Sequence, residues 1–131
     1  SLTPVAKLSI FNLPSRPRVS RVLLSSLKDA VLGKRYELSI AFVDEKEMRR
    51  LNKKYRKKLA STDILSFPLS KNSGEIVFCM KDVVKQAPLF GRTVPNFLKF
   101  LFIHGLVHLK GYAHGSRMER QERKFRKECN V

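Results

Sequence analysis

All three histidines of this 131-residue chain lie in one short segment, at positions 104, 108 and 114. His104 and His108 are four residues apart in a sequence of helical character, so their rings project from one helix face about a turn apart. Gly111 suits the left-handed conformation that ends a helix, after which the chain can fold back and bring in His114. The spacing therefore predicts that three neutral imidazoles share one metal ion.

Three protein ligands leave the fourth position of a zinc ion open for water, which distinguishes a catalytic zinc site from a structural one. The pattern thus favours a hydrolase. The same offsets occur in the metzincin protease motif H-E-x-x-H-x-x-G-x-x-H, whose Glu serves as general base. Gly105 occupies that position here and cannot accept a proton. Either another residue accepts it, or the lowered pKa of a metal-bound water suffices, and the protease interpretation is weakened.

The charge of the chain narrows the class of partner. Lys and Arg number 27 against 11 Asp and Glu, a formal net charge of +16, which favours nucleic acid or an anionic membrane surface. No apolar run is long enough to cross a bilayer, and residues 1–7 lack the pattern of a secretory signal. Cys79 and Cys129 form no C-x-x-C pair, so we expect a soluble, cytoplasmic protein, although one disulfide remains an alternative.

Around the histidines, apolar alternation predicts four strands within one domain covering residues 1–131. These strands are residues 7–11, with Val5 before them, then 36–43, 62–69 and 75–80. Pro68 removes an amide donor, so the third strand should lie at a sheet edge or end there. A short polar turn separates the last two strands, which predicts that they pair antiparallel.

The helix that carries the first two histidines is apolar on nearly every side over residues 97–109. Such a helix is buried, and burial would hold the imidazoles as rigidly as a metal centre requires. A loop over 91–95 should precede it, after a helix over 81–86 that Pro88 interrupts.

Start and stop residues set the bounds of three further helices. The expected starts are Ser15 with Pro17, Asp44 with Glu47, and Ser116 with Glu119, and the expected ends are Gly33 for the first and about Lys127 for the last. The middle helix carries a dense basic face, formed by Arg49, Arg50, Lys53, Lys54, Arg56, Lys57 and Lys58. This face either solubilises an exposed helix or contacts phosphate, and the two interpretations are about equally supported.

Four separated segments share a pattern with one known family. Residues 104–114 read H-G-L-V-H-L-K-G-Y-A-H, residues 55–56 read Y-R, residues 62–68 read T-D-I-L-S-F-P and residues 74–77 read G-E-I-V. They resemble the H-G-x-x-H-L-x-G-Y-D-H, Y-R, T-[DN]-V-L-S-F-P and G-[DE]-I-x segments of the YbeY family, the bacterial endoribonuclease and ribosomal RNA maturation factor. Together they are far more specific than the histidine motif alone.

The resemblance implies a compact α/β (α+β) metallohydrolase fold, a small mixed sheet surrounded by helices, with a metzincin-like central histidine helix. It implies one zinc ion on His104, His108 and His114, and Arg56 near the metal. The planar fork of an arginine binds phosphate and offsets charge that develops during phosphodiester cleavage. Lys57 and Lys58 are further candidates for substrate binding.

The function that the resemblance implies is a zinc-dependent, single-strand-specific endoribonuclease in ribosomal RNA maturation, at the 3′ end of the small-subunit RNA. Its partners would be RNA and the ribosome or small-subunit assembly proteins, and no membrane. The metal would polarise a phosphoryl oxygen or supply hydroxide, unless the RNA 2′-hydroxyl is the nucleophile. The sequence leaves this choice and the oligomeric state open.

Ala113 stands where the family usually has Asp, so a carboxylate that could orient a ligand is missing from that position. Ala113 and Gly105 favour one alternative, a non-catalytic RNA-binding ribosome-assembly factor whose zinc is structural. A metalloprotease is the second alternative, which Gly105 and the positive charge disfavour.

Overall fold

A computed structural model describes residues 7–58 and 60–131. They contain four strands, β1 (Leu8–Phe11), β2 (Glu37–Phe42), β3 (Ile64–Ser70) and β4 (Ser73–Phe78). Five α-helices accompany them, α1 (Arg21–Leu32), α2 (Glu45–Arg56), α3 (Met80–Gln86), α4 (Val94–Leu109) and α5 (Ser116–Glu128), with a 3₁₀ turn at Ala87–Phe90. The predicted α/β fold is confirmed. Val5 and the rest of residues 1–6, on which the secretory-signal expectation partly rests, lie outside the described residues.

The strands form one mixed sheet in the order β1-β2-β4-β3. β2 runs parallel to both β1 and β4, and β3 pairs antiparallel with β4, as the short turn between them predicts. β3 lies at the edge, which is where Pro68 is tolerated. The strand does not end at that proline; it continues to Ser70 after a register shift between the two residues.

Alternation along β4 assigns the helices to the two faces of the sheet. Ile76 and Phe78 belong to a large core that also takes in residues of α1, α4 and α5. Val77 and Cys79 point the other way, into a small cluster with Met48 of α2 and Leu65 of β3. The histidine helix α4 is therefore enclosed by the main core, as its apolar sequence predicts.

The first helix begins later than expected. Residues 15–18 form a turn, so the prediction that Ser15 and Pro17 open the helix is wrong. Ser20 is the capping residue instead, because its Oγ accepts a hydrogen bond from the N–H of Leu23 at 3.2 Å. Gly33 ends this helix as predicted, with φ of 87°.

Other element bounds differ by a few residues. Asp44 caps α2 as predicted, accepting from the N–H of Glu47 at 2.8 Å. The prediction of a capping box at Ser116 is wrong, because Gly115 precedes α5 and no side chain caps this helix. Thr93 caps α4, so the expected loop over 91–95 is shorter, and Met80 starts α3 instead of ending β4. None of the helices in the described part of the chain combines the length and apolarity that crossing a bilayer requires.

Candidate active site

A cleft of about 620 Å³ opens between α4, the edge strand β3 and the carboxyl end of α2. It brings together His104, His108, His114 and Arg56, the four residues for which the sequence suggests chemistry. The rest of its lining is Tyr55, Thr62, Asp63, Ile64, Leu65, Ser66, Phe67, Phe90, Phe100 and Leu101. Lys57 and Lys58 are exposed and lie outside this lining, so their contact with substrate stays a prediction.

The three imidazoles converge within the cleft. The ring of His114 lies 5.6 Å from that of His104 and 5.8 Å from that of His108, between centroids. Gly111 lies in the turn after α4 with φ of 112°, a conformation that L-residues rarely adopt. The turn at this glycine returns the chain so that His114 faces the two histidines of α4.

Gly105 allows α4 to lie directly on the sheet. A Cβ atom at this position would lie 2.8 Å from Ser66 Oγ and 3.0 Å from the Cδ1 of Ile64, which is closer than packed atoms approach each other. Position 105, which carries the general base in the metzincin motif, is therefore a point of close contact between α4 and the sheet. A glutamate here would require the side chains of Ser66 and Ile64 to shift.

Glu122 of α5 is a site residue that the sequence patterns did not single out. Its Oε1 lies 2.8 Å from Nδ1 of His104, and its side chain is only 9% exposed. When Nδ1–H donates to this carboxylate, the Nε2 lone pair of His104 is left free for a metal. A carboxylate that orients a ligand is thus present, but it comes from α5 instead of position 113.

A sequence signal for Glu122 does exist. Met118 and Phe125 define the buried stripe of α5, and Glu122 lies four residues after the first and three before the second. It therefore shares their face, and an acidic residue on a buried helix face requires a polar or cationic partner. His104 is that partner, with the NH1 of Arg126 4.0 Å from the same carboxylate oxygen.

The environment of His108 favours the neutral imidazole. Burial lowers its pKa below 6.5, and the positive charges of His114, His104 and Arg56 lower it further. Its Nδ1 is buried and has no hydrogen-bond partner among the described residues. A neutral imidazole is the form that binds a metal ion.

These histidines fit a zinc ion by donor type and by convergence. Imidazoles with Zn–N distances of about 2.0–2.1 Å on one tetrahedral ion have ring centroids about 5 Å apart, slightly closer than the separations found here.

Arg56 reaches the cleft from the last turn of α2. The helix ends because Lys57 takes a left-handed conformation, with φ of 55°, and its N–H donates to the carbonyl of Lys53 at 3.1 Å. The Nδ2 of the buried Asn52 donates to the carbonyl of Ala60 at 2.7 Å, which fixes the chain after the helix. Arg56 thus presents its guanidinium beside the histidines without being buried among them.

Asp63 carries the only carboxyl group among the described residues that line the cleft. Burial is the largest effect and raises the pKa of this carboxyl above 3.8, and nearby Asp82 also raises it. Hydrogen bonds from the backbone N–H groups of Ile64 and Asp63 lower the pKa, as does nearby His104, but they do not offset the burial. A carboxyl group with a raised pKa in a cleft is a candidate for proton transfer.

The chain is similar to known proteins over most of its length. The chain matches the family model described as Endoribonuclease YbeY over residues 10–130. The Endoribonuclease YbeY of Macrococcus caseolyticus is 34% identical over 110 residues, which cover 75% of this chain and 71% of that protein. The one from Aquifex aeolicus is 42% identical over 96 residues, which cover 69% of this chain and 63% of that protein, less than two thirds of its length. The solution structure of a Thermotoga maritima protein matches with a TM-score of 0.64 at 28% identity, covering 93% of this chain and 88% of the other.

Proposed function

Because the chain belongs to the YbeY endoribonuclease family, we propose that it is a zinc-dependent endoribonuclease that cleaves single-stranded RNA. The observation that carries this proposal is the cleft in which three converging imidazoles and an arginine meet, on a protein with a net charge of +16. Imidazoles are suited to a metal and arginine to a phosphate, and the charge of the whole molecule attracts a polyanion.

A zinc ion bound by His104, His108 and His114 would supply a Lewis acid that polarises the phosphate and activates a nucleophile. Arg56 binds the phosphate through its planar fork and offsets the negative charge that develops at the phosphorus. Glu122 fixes the ring orientation of His104. Asp63 provides the proton acceptor that Gly105 cannot provide, since its carboxyl group lines the same cleft.

The physiological substrate in this proposal is ribosomal RNA, at the 3′ end of the small-subunit RNA, with the ribosome or its assembly proteins as partners. Support for this comes from the family resemblance and from the excess of cationic side chains. We also propose a cytoplasmic location. Cys79 and Cys129 are both free thiols, which agrees with a reducing compartment.

The two alternative functions that the sequence suggests, an assembly factor and a metalloprotease, agree less well with this site. Ala113 and Gly105 support an assembly factor with a structural zinc only if their positions leave the site without carboxylates. The site does contain two carboxylates, those of Glu122 and Asp63. A metalloprotease built on the metzincin pattern needs a glutamate at position 105, where a side chain would collide with Ser66.

The test is cleavage of a labelled single-stranded fragment of ribosomal RNA, with its duplex and an unstructured peptide as comparison substrates. We expect the zinc-loaded protein to cut the single strand faster than the duplex and to leave the peptide intact. A fragment with deoxyribose at the cut position then separates the two nucleophiles, since only attack by the RNA 2′-hydroxyl requires that group. Intact RNA together with cleaved peptide would support the protease instead.

A further inference from the structure

We propose that the cleft contains two subsites on which unpaired nucleobases stack, one at Phe90 and one at Tyr55, in the same cleft as the three histidines. This inference rests on the proposed ribonuclease function and extends it, because it names the side chains that would select single-stranded RNA. Neither ring belongs to the histidine and arginine constellation described above.

Phe90 is an aromatic residue that the core leaves open. It is 54% exposed, yet its ring lines the cleft. The centroid of its ring lies 4.9 Å from that of the fully buried Phe97 and 5.9 Å from that of Phe100, so both rings support it. A ring that is supported by core residues and open to solvent is a preorganised surface for base stacking.

Tyr55 forms the second surface. It is 56% exposed in the last turn of α2, directly before Arg56. The ring of Phe67 supports it in an edge-on arrangement, with 5.0 Å between centroids and 61° between planes. Tyr55 therefore combines an exposed ring with a neighbouring cation that can bind the adjacent phosphate.

The two rings line the same cleft as the histidines and are carried by different parts of the fold. Phe100, on which Phe90 packs, is one helical turn before His104, and about 12 Å along the helix axis separates it from His108. Tyr55 packs on Phe67 of the edge strand β3, whose neighbour Ser66 contacts the helix at Gly105. A strand that stacks on both rings therefore lies in the cleft that contains the histidines.

The charges beside the rings favour nucleobases over an apolar peptide. The guanidinium of Arg92 lies 4.3 Å from the ring centroid of Phe100, and the ammonium of Lys54 lies 5.1 Å from that of Tyr55. The ring of Tyr55 thus has a cation close to it, and Phe100, on which Phe90 packs, has another, an arrangement that suits alternating bases and phosphates of a single strand. Bases in a duplex already stack on one another, so they cannot use these surfaces.

The experiment combines variants of the zinc-loaded protein with RNA that lacks single bases. A short single-stranded RNA is prepared intact and with one abasic nucleotide at each successive position, and its binding and single-turnover cleavage are measured. The proteins are wild type, Phe90→Leu and Tyr55→Leu, with Phe90→Tyr and Tyr55→Phe as variants that keep the ring. Leu89→Ala and Leu69→Ala are matched controls, since these residues are 75% and 63% exposed and lie outside the lining of the cleft.

We expect each leucine variant to bind intact RNA about 5- to 100-fold more weakly, and the ring-keeping variants and both controls to bind like wild type. One abasic position should remove the difference between wild type and Phe90→Leu, and another should do so for Tyr55→Leu. Equal binding by wild type and the leucine variants, or losses that no abasic position removes, would overturn the subsites. Failure of wild type to cut any RNA would overturn the proposed function, whereas the pattern of binding would still decide the subsites.

Discussion

The helix that carries two histidines and the helix that carries Arg56 are held by very different amounts of core. α4 packs between the sheet, α1 and α5, and its buried residues include Phe97, Phe102, Ile103, Leu106 and Val107. α2 covers the other face of the sheet, where the buried cluster consists of Met48, Leu65, Val77 and Cys79. A metal site needs ligands of fixed geometry, and the two histidines of α4 that we propose as ligands lie on the side with the larger core. The arginine that we propose as the phosphate-binding residue tolerates adjustment, and it lies at the end of the helix with the smaller buried cluster.

The first way to test this division is to remove the guanidinium alone. Arg56→Ala should lower the rate of RNA cleavage about 100- to 1,000-fold, because charge developing on the phosphate loses its partner. The zinc content and the thermal stability should stay at the wild-type values, since Arg56 is exposed. Arg56→Lys keeps the charge without the fork and should fall between the two. Loss of zinc from Arg56→Ala would show that the two sides are not independent.

The support of His104 provides a second test. Glu122→Gln keeps the size of the side chain but weakens its hold on Nδ1, and we expect about 10- to 100-fold lower zinc affinity. Glu119→Gln, three residues earlier on the same helix and exposed, is the control. Chelator competition measures both. Equal zinc affinities would mean that the carboxylate does not support His104 as a metal ligand.

Two substitutions of buried residues, one on each face of the sheet, test whether the two faces have different roles. Phe102→Ala and Met48→Ala each remove a side chain that is 0% exposed, at a cost of about 3–5 and about 2–5 kcal/mol in the free energy of unfolding. Only Phe102→Ala should also weaken zinc binding, and Met48→Ala should mainly weaken RNA binding through Arg56. Denaturant unfolding gives the stabilities. Equal losses of zinc affinity in the two variants would contradict the assignment of roles to the faces.

The smallest expected effect concerns Asp63. Burial raises the pKa of its carboxyl in the folded protein, so the folded state keeps a proton that the unfolded state has already lost. Stability should therefore fall as the pH rises from 3.8 through the raised pKa, and Asp63→Asn should remove this fall and be the more stable protein above it. Cleavage should rise over the same window in wild type if Asp63 is the proton acceptor. Identical pH profiles of stability for the two proteins would contradict the burial of this charge.

The convergence of the three histidines could be predicted because it depends on local geometry. His104 and His108 share a helix face by their spacing, and Gly111 lies in the turn where a positive φ is needed. The edge position of β3 and its antiparallel pairing with β4 were predictable because they depend on Pro68 and on the short turn between the two strands.

The remaining features depend on how distant segments pack. Glu122 reaches His104 only because α5 docks on α4, a contact between residues 18 apart in the chain. Gly105 has a structural reason that appears only once Ser66 and Ile64 lie beneath it. The sequence does not determine the start of α1, because Ser15 and Ser20 are both residue types that cap helices. In the structure residues 15–18 form a turn, so the helix begins after Ser20.

In the proposed mechanism, His104, His108 and His114 hold the metal with which this protein cuts RNA. The most direct measurement determines zinc content and single-turnover cleavage of single-stranded ribosomal RNA on the same samples of wild type and His108→Ala, with folding verified by circular dichroism. We expect one zinc ion per chain and RNA cleavage for wild type, and neither for a folded His108→Ala. Intact RNA with zinc-loaded wild type, or undiminished cleavage by zinc-free His108→Ala, would contradict it.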